Sequence, residues 1–342
     1  MSDHALPTLA DVAQKAGVST ATVSRCLNSP DRVVEETRKR VMAAVRELGY
    51  APNFGAQALA AKQTNTVGAV IPTMENAVFA RGLQAFQQEL GRHGKTLLVA
   101  SSSYDAALED EQIRALVARG ADALLLIGYD RSRELYEFLD KRGVPTLVSW
   151  SCSETEARAA MGFDNRLSML RLAREVLKLG HRHIACLSAP LSTNDRARGR
   201  VQGIRNALAE FGLPPNTLPV FETPYGIDTG TAAFKALVEK HPGTTAIMCV
   251  NDVLALGALR GARERGLSVP NDISVTGFDD IEIALLAEPP LTTVHVPHRD
   301  MGQRAARMLL DMLRDGTKGA RVALPTEIMM RGSLGPVPGA PR

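Results

Sequence analysis

From Thr66 to Asp280, short apolar runs alternate with amphipathic helical stretches, and no other feature restricts the possible fold as strongly. VGAVI leads to a helical pattern ending at Gly91, TLLVA to one ending at Gly120, and ALLLI to one ending at Gly143, before TLVSW. After a connector the alternation resumes with a helix from Asn165, then HIACLS, a helix from Arg198 to Phe211, TAIMCV, a helix from Val253 to Arg265, and ISVTGFD. Strands this uniformly apolar, with helices between them, imply parallel sheets covered on both faces. Two sheets of about five or six strands each are expected rather than one very wide sheet. The last helical pattern, MGQRAARMLLDML, is expected to cross back to the first sheet. The Gly- and Pro-rich end, GSLGPVPGAPR, reads as disordered.

The first sixty residues follow a different rule. Leu9, Val12, Ala13 and Ala16 recur at helical spacing, with Thr8 placed to cap them. Gly17 breaks that helix, and Ser19 begins a second one that turns Val23 and Leu27 inward. A third pattern carries Thr37, Val41, Ala44, Val45 and Leu48 and stops at Gly49. Two short helices about a glycine turn form a helix-turn-helix. Its second helix, within GVSTATVSRCLN, leaves Thr20, Ala21, Thr22, Ser24 and Arg25 on the outer side. Hydroxyls, a methyl group and a guanidinium are what a major groove accommodates. Beyond it, Asn53 is placed to cap the short Ala-rich segment FGAQALAAKQ between the two regions.

Composition narrows the function. At 342 residues the chain exceeds one ordinary core, and its net charge of +3 gives no bulk attraction for nucleic acid, so any such contact is local. Cys26, Cys152, Cys186 and Cys249 are scattered and read as buried reduced thiols, with no metal site. The start lacks the pattern of a secretory signal and no apolar run is of transmembrane length, so a cytoplasmic location is expected. No GxGxxG after a strand, P-loop or GxSxG elbow occurs, so no enzyme and no cofactor are expected.

Two α/β lobes make a cleft, and ligands sit beyond the C-terminal ends of the strands. Asn76 and Phe79 follow the first strand, and Gly128 and Tyr129 follow ALLLI. Trp150, the only tryptophan, ends TLVSW, and the connector ends in Phe163 and Asp164. Arg196, Arg198 and Arg200 lie near a helix start, Asn251 and Asp252 follow TAIMCV, and Asp279 follows ISVTGF. His181 and His183 read as structural turn and strand residues.

TLADVAQKAGVSTATVSRCLN closely resembles the N-terminal signature of the LacI/GalR family of bacterial transcription regulators, and YAPNFGAQALAAKQTNTVG resembles its hinge helix. GFDN, GHRHIACL, CVNDVLALGAL, DISVTGFDD and PPLTTV resemble later family blocks in the same order, with gluconate and sugar-acid type repressors the most similar. The resemblance implies an N-terminal all-α helix-turn-helix headpiece with a hinge helix. It also implies a C-terminal two-lobed α/β domain like a periplasmic binding protein, with two parallel Rossmann-like sheets. The corresponding boundaries are 1–50, 51–65 and 66–335, with a flexible tail at 336–342. Lobe 1 takes about 66–162 and 293–330, and lobe 2 about 163–292.

The implied function is a repressor that binds a near-palindromic double-stranded operator as a homodimer and is switched by a small effector, without a membrane partner. Thr20 and Ala21 match positions that choose bases, and Arg25 matches the arginine that reads a base edge. Thr8, Ser19, Thr22, Ser24 and Asn28 match phosphate-positioning residues. In the hinge, Leu59 matches the leucine inserted into the minor groove, and Asn53, Ala56 and Gln57 complete the implied contact set. In the cleft, Arg200 matches the principal effector-binding arginine, and Asn251 and Asp279 match residues that bond ligand hydroxyls. Phe79, Trp150, Phe163, Tyr225, Val253 and His298 fall at other lining positions. The implied effector is a sugar, sugar acid or sugar phosphate. Trp150 stands where many members carry an aspartate or another polar group.

Overall fold

The computed structural model describes residues 6–28, 30–51, 63–75 and 77–339. The chain divides into two units, Met1–Thr64 and Asn65–Arg342.

The first unit contains helices α1 (Leu9–Ala16), α2 (Thr20–Asn28) and α3 (Glu35–Leu48). Thr8 and Asp11 form a reciprocal capping box at the start of α1, and Gly17 ends it at φ 64°. Ser19 Oγ accepts the Thr22 N–H at 3.2 Å, which starts α2. The small core joins Val12, Ala13 and Ala16 of α1 to Val23 and Cys26 of α2 and to Val41 and Ala44 of α3. Leu27, expected inward, is only half-buried, because Cys26 shares the inner face of α2 with Val23. A surface ion pair between Lys15 and Glu47 links α1 to α3.

The second unit has two lobes. Lobe 1 carries a fully parallel six-stranded sheet in the order β11-β5-β4-β3-β1-β2. Its strands are β1 (Thr66–Ile71), β2 (Thr96–Ser101), β3 (Ala123–Ile127), β4 (Thr146–Ser149), β5 (Ala160–Gly162) and β11 (Arg321–Ala323). Helices α4 (Ala80–Arg92), α5 (Ala106–Ala118), α6 (Arg133–Arg142) and α12 (His298–Asp315) belong with it. Lobe 2 carries β7-β6-β8-β9, also parallel, from β6 (Ile184–Ser188), β7 (Val220–Glu222), β8 (Ala246–Cys249) and β9 (Ser274–Thr276). Around it lie α7 (Asn165–Lys178), α8 (Asp195–Glu210), α9 (Ile227–Lys240), α10 (Asp252–Glu264) and the short α11 (Glu282–Leu286).

The second sheet therefore has four strands, not five or six. Thr292 adds only a single parallel bridge to Thr276 beyond β9, where the chain is already leaving the lobe. β7 and α9 were not anticipated. The three-residue β7 is not fully buried and lacks a strongly apolar run, and α9 starts at Gly226 without a side-chain cap.

Three connections join the lobes: the link from β5 to α7, the segment through β10 (Thr293–His295), and the return from β11 to β12 (Glu327–Met329). β10 and β12 pair antiparallel. Asp252 secures the second connection, accepting from Thr293 Oγ1 at 2.5 Å and from the Ile281 N–H at 2.8 Å. Within lobe 1, α4 and α12 cross so closely that a Cβ on Gly302 would strike the Gly82 carbonyl. Glu89 clamps the same helix pair, accepting from Arg307 at 2.8 Å and Gln303 at 3.1 Å, and these partners hold its pKa down at about 2.

The C-terminal stretch is not a free tail among its described residues, and it belongs with lobe 2. Ser333, Leu334 and Gly335 are buried, and Ser333 Oγ donates to the Val275 carbonyl at 2.6 Å. The Gly335 carbonyl accepts from His181 Nε2 at 2.9 Å, and the Val337 N–H donates to the Leu179 carbonyl at 3.0 Å. The physical reason is backbone pairing: Gly and Pro suppress helix, but the free backbone groups of Gly335 and Val337 find partners in lobe 2. His181 is fully buried, with its other ring nitrogen 2.9 Å from Thr245 Oγ1. Cys26, Cys186 and Cys249 are buried free thiols, whereas Cys152 is only half-buried.

Candidate nucleic-acid interface and ligand cleft

In the first unit, the apolar anchors of α2 fix which side chains face out. With Val23 and Cys26 in the core, Thr20, Ala21 and Arg25 are exposed, and Thr22 and Ser24 are half-buried. Asn28 closes the helix. Thr8 and Ser19 sit at helix starts and use their hydroxyls for capping. Thr8 Oγ1 donates to Asp11 Oδ2 at 2.7 Å, and Ser19 Oγ lies 2.9 Å from Thr22 Oγ1. Asn53, Ala56, Gln57 and Leu59 lie outside the described residues, as does Asn76.

In the second unit, a tight inner cavity lies between the lobes, with free space for little more than one water molecule. Lobe 1 lines it with Val78, Phe79, Tyr104 and Trp150, and lobe 2 with Asn194, Arg196, Arg200, Tyr225, Asn251 and Asp279. Arg200 is the most constrained of these. Its Nε donates to Asn165 Oδ1 at 2.8 Å, Nη1 to the Val250 carbonyl at 2.5 Å, and Nη2 to Asp279 Oδ1 at 3.4 Å. Its guanidinium lies 3.7 Å from the centroid of Phe278, whose other neighbour is Phe163 at 5.9 Å. Phe163 is thus a fully buried support behind the arginine. Burial raises the Asp279 pKa to about 6 against the pull of Arg200. Asn251 caps α10 by accepting the Leu254 N–H at 2.9 Å. Asn194 caps α8 and donates to Tyr225 Oη at 3.3 Å.

The lobes touch across this cavity. Asp195 accepts the Tyr129 N–H at 2.9 Å, and Arg196 Nη1 donates to the Ile127 carbonyl at 3.2 Å. Gly128, at φ 70°, permits this approach, since a Cβ there would collide with both Asp195 and Arg196. On the opposite wall, Phe79 meets Trp150 edge-on at 5.3 Å, and Trp150 lies 6.2 Å from the His298 ring. Trp150 holds φ 58°, rare for a bulky side chain, with its carbonyl accepting from Asn165 Nδ2 at 3.0 Å. His298 Nε2 donates to the Asp279 carbonyl at 3.1 Å, and burial lowers its pKa to about 4.

Other sequence-derived positions lie farther out. Arg198 is half-exposed on the rim in an ion pair with Asp130. Asp164 caps α7 through the Leu167 N–H at 2.8 Å, and Val253 packs half-buried against the core. Tyr104, Asn165, Asn194 and Asp195 went unnoticed. Tyr104 lies three residues beyond the end of β2, so the rule applied to the other strand ends would have found it. The others sit at or near the starts of helices, where the arginines drew the reading.

With this geometry in view, residues 8–53 match the model of bacterial regulatory proteins of the lacI family, and residues 173–334 match a periplasmic binding protein-like domain. The HTH-type transcriptional repressor PurR of Vibrio parahaemolyticus is 34% identical over 96% of this chain and 99% of its own length. The chain belongs to the LacI family. It is a DNA-binding transcriptional regulator with a helix-turn-helix head and an effector-binding domain. The lac repressor dimer bound to operator and the anti-inducer ONPF superposes with TM-score 0.84 at 28% identity, over 97% of this chain and 100% of that one. A CelR–cellobiose complex superposes with TM-score 0.70 at 30% identity, over 96% and 99% of the two chains. These LacI-family relatives are transcriptional regulators rather than enzymes. Among the described residues, no helix is long and apolar enough to cross a membrane.

Proposed function

We propose that this LacI-family member is a cytoplasmic repressor that binds a near-palindromic operator as a homodimer and is switched by a sugar acid in the inter-lobe cleft. The pair of buried arginines, Arg196 and Arg200, beside the aromatic faces of Phe79, Trp150, Tyr104 and Tyr225 carries the effector assignment. Guanidinium groups clamp a carboxylate, and flat rings pack on the C–H faces of a polyol. Asn251, Asn194 and Asp279 supply hydroxyl partners. The cellobiose complex of the related regulator supports a carbohydrate skeleton for the ligand.

On DNA, Thr20 and Ala21 select bases and Arg25 grips a base edge, while Thr8, Ser19, Thr22, Ser24 and Asn28 position the phosphates. Leu59 wedges the minor groove, aided by Asn53, Ala56 and Gln57. Exposed apolar side chains support the homodimer: Leu98 and Val99 on edge strand β2, and Ile283, Leu285 and Leu286 on α11. Two-fold symmetry in the protein then requires it in the operator.

Footprinting on the region upstream of its own gene, with and without ligands from a thermal-shift screen, tests this reading. A protected near-palindrome whose occupancy responds to an aldonate or uronate is the expected result. Protection that responds only to purine bases would replace the effector class. No protection on any upstream duplex would sink the operator assignment.

A further inference from the structure

Three residues that each stand one position before a strand of lobe 1 meet at one rim of its sheet. Asn65 precedes β1, Lys95 precedes β2 and Asp122 precedes β3, and these strands lie side by side in the order β3-β1-β2. Lys95 Nζ donates to Asn65 Oδ1 at 2.9 Å and pairs with Asp122 Oδ2 at 3.5 Å. The lysine and aspartate side chains are only 13% and 10% exposed.

Tight helix ends place two of the three. After α4, Gly94 turns at φ 66° and the Lys95 N–H donates to the Leu90 carbonyl at 3.0 Å. After α5, Gly120 turns at φ 84° and the Ala121 N–H donates to the Leu116 carbonyl at 3.0 Å, just before Asp122. Asn65 turns the chain itself, at φ 54°. Its carbonyl accepts the Thr96 N–H at 2.8 Å, and the next carbonyl, of Thr66, accepts the Asp122 N–H at 2.8 Å. The start of β1 is thus stitched to both neighbours.

Stability alone does not account for this rim. Glycine holds a left-handed backbone with less strain than asparagine. What the position gains from asparagine is its amide, and Lys95 binds that amide. A lysine–aspartate pair taken largely out of water returns little net stability, because desolvation offsets the attraction. Such a pair does fix geometry. Asn65 is also where the second unit begins, so the backbone that carries the helical head enters lobe 1 through this residue.

We infer that Lys95, braced by Asp122, is a positioning residue for operator recognition. By holding the Asn65 amide it fixes the direction in which the chain carrying the head leaves lobe 1. A near-palindromic operator is read by two heads at a set spacing, and an exit free to turn must first be ordered, which weakens binding. A head on random duplex, held through phosphates, makes no such demand. The rim therefore contributes to specific binding and not to nonspecific binding. This role rests on the operator reading proposed above.

The test is fluorescence anisotropy of the full-length protein at one salt concentration on two duplexes. One is selected from a random library by wild type, and the other is a scrambled duplex of the same composition. Lys95→Met keeps the stem but loses the ammonium; it should weaken the selected duplex by about 5-fold or more and the scrambled one by less than about 2-fold. Lys95→Arg, which keeps charged donors, should stay within about 2-fold of wild type on both. Asn65→Gly accepts the same backbone but lacks the amide, and should match Lys95→Met. The double variant should be no weaker than either single one, because both remove the same bond.

If Lys95→Met does not fold, Asn65→Gly carries the same comparison with the Lys95–Asp122 pair intact. Equal losses on both duplexes together with a lower thermal midpoint would mean that Lys95 only supports the fold, and would overturn the inference. Unchanged binding to both duplexes, or additive losses in the double variant, would overturn it as well. Wild-type protein that selects no duplex from the library overturns the operator reading itself, before any variant is compared.

Discussion

Replacing Gly82 by alanine separates two opposing effects with known sizes. In the interior of a helix such as α4, alanine is favoured over glycine by about 1 kcal/mol. The added methyl, however, would sit 2.5 and 2.7 Å from two indole carbons of Trp150, where ordinary contact begins near 3.4 Å. The indole must withdraw by roughly 1 Å, and overpacking of this kind costs about 1–3 kcal/mol. Phe79 contacts the ring edge-on and is itself buried, so the open direction is into the inner cavity. Net stability should therefore fall by only about 0–2 kcal/mol, while the space left for effector shrinks sharply. Urea denaturation should give a midpoint equal to or modestly below that of wild type, and calorimetric titration with the sugar acid that binds wild type should show at least a 10-fold loss. A variant about 1 kcal/mol more stable with unaltered effector affinity would refute the reasoning, since the methyl would then have met no resistance from Trp150.

Other outcomes follow from the same contacts. Arg25→Ala should relax base preference at one position of each half-site and cost about 1–3 kcal/mol, and unchanged preference in a binding-site selection would exclude its role. Leu59→Ala should weaken operator binding far more than binding to random duplex, as measured by fluorescence anisotropy on both. Truncation after Arg331 removes Gly335, which accepts from His181, and Ser333, which bonds Val275 and Thr292, and should lower the thermal midpoint of the effector domain while leaving the helical head folded, as read by NMR of the head resonances. The pH dependence should be visible in His298→Gln. The raised Asp279 pKa adds stability below its unfolded value that is lost as pH climbs through about 6. The lowered His298 pKa adds stability above its unfolded value that is lost as pH falls toward about 4. The two slopes oppose each other between those values. Removing the histidine arm should thus make the variant gain about 2 kcal/mol on wild type between pH 7 and pH 5, measured by denaturant titration at each pH. Parallel curves would show that His298 is not held neutral by the fold.

Much of this architecture was legible because local chemistry and global placement agree. Thr8 and Gly17 bracket α1 by capping rules that need no tertiary information, and the buried runs ALLLI and HIACLS can only be interior strands. The cleft was half legible. Asp279 and Asn251 follow strands, and position alone selects them, whereas Arg200 was one of three arginines near a helix start and only the family resemblance singled it out. Tyr104 lies just past β2, where the same rule would have found it, and two successive left-handed residues, Ser103 and Tyr104, carry the chain there. Trp150 was visible as a residue but not as a constraint, because its fit depends on the absent side chain of Gly82, almost seventy positions earlier. The C-terminal stretch misled because Gly and Pro forecast only what a backbone avoids. Whether buried acceptors elsewhere need its N–H groups depends on the sheet it meets.

That stretch has a consequence for how the protein comes into being. Lobe 1 needs α12 and β11 from late in the chain, and lobe 2 needs Ser333 and Gly335 from later still. Neither lobe is a contiguous piece of sequence, so neither can be finished while its last residues remain inside the ribosome. The helical head is different, since all its core residues lie within the first fifty positions. A reading head is thus complete early, and the part that regulates it closes only once the stretch through Gly335 has left the ribosome.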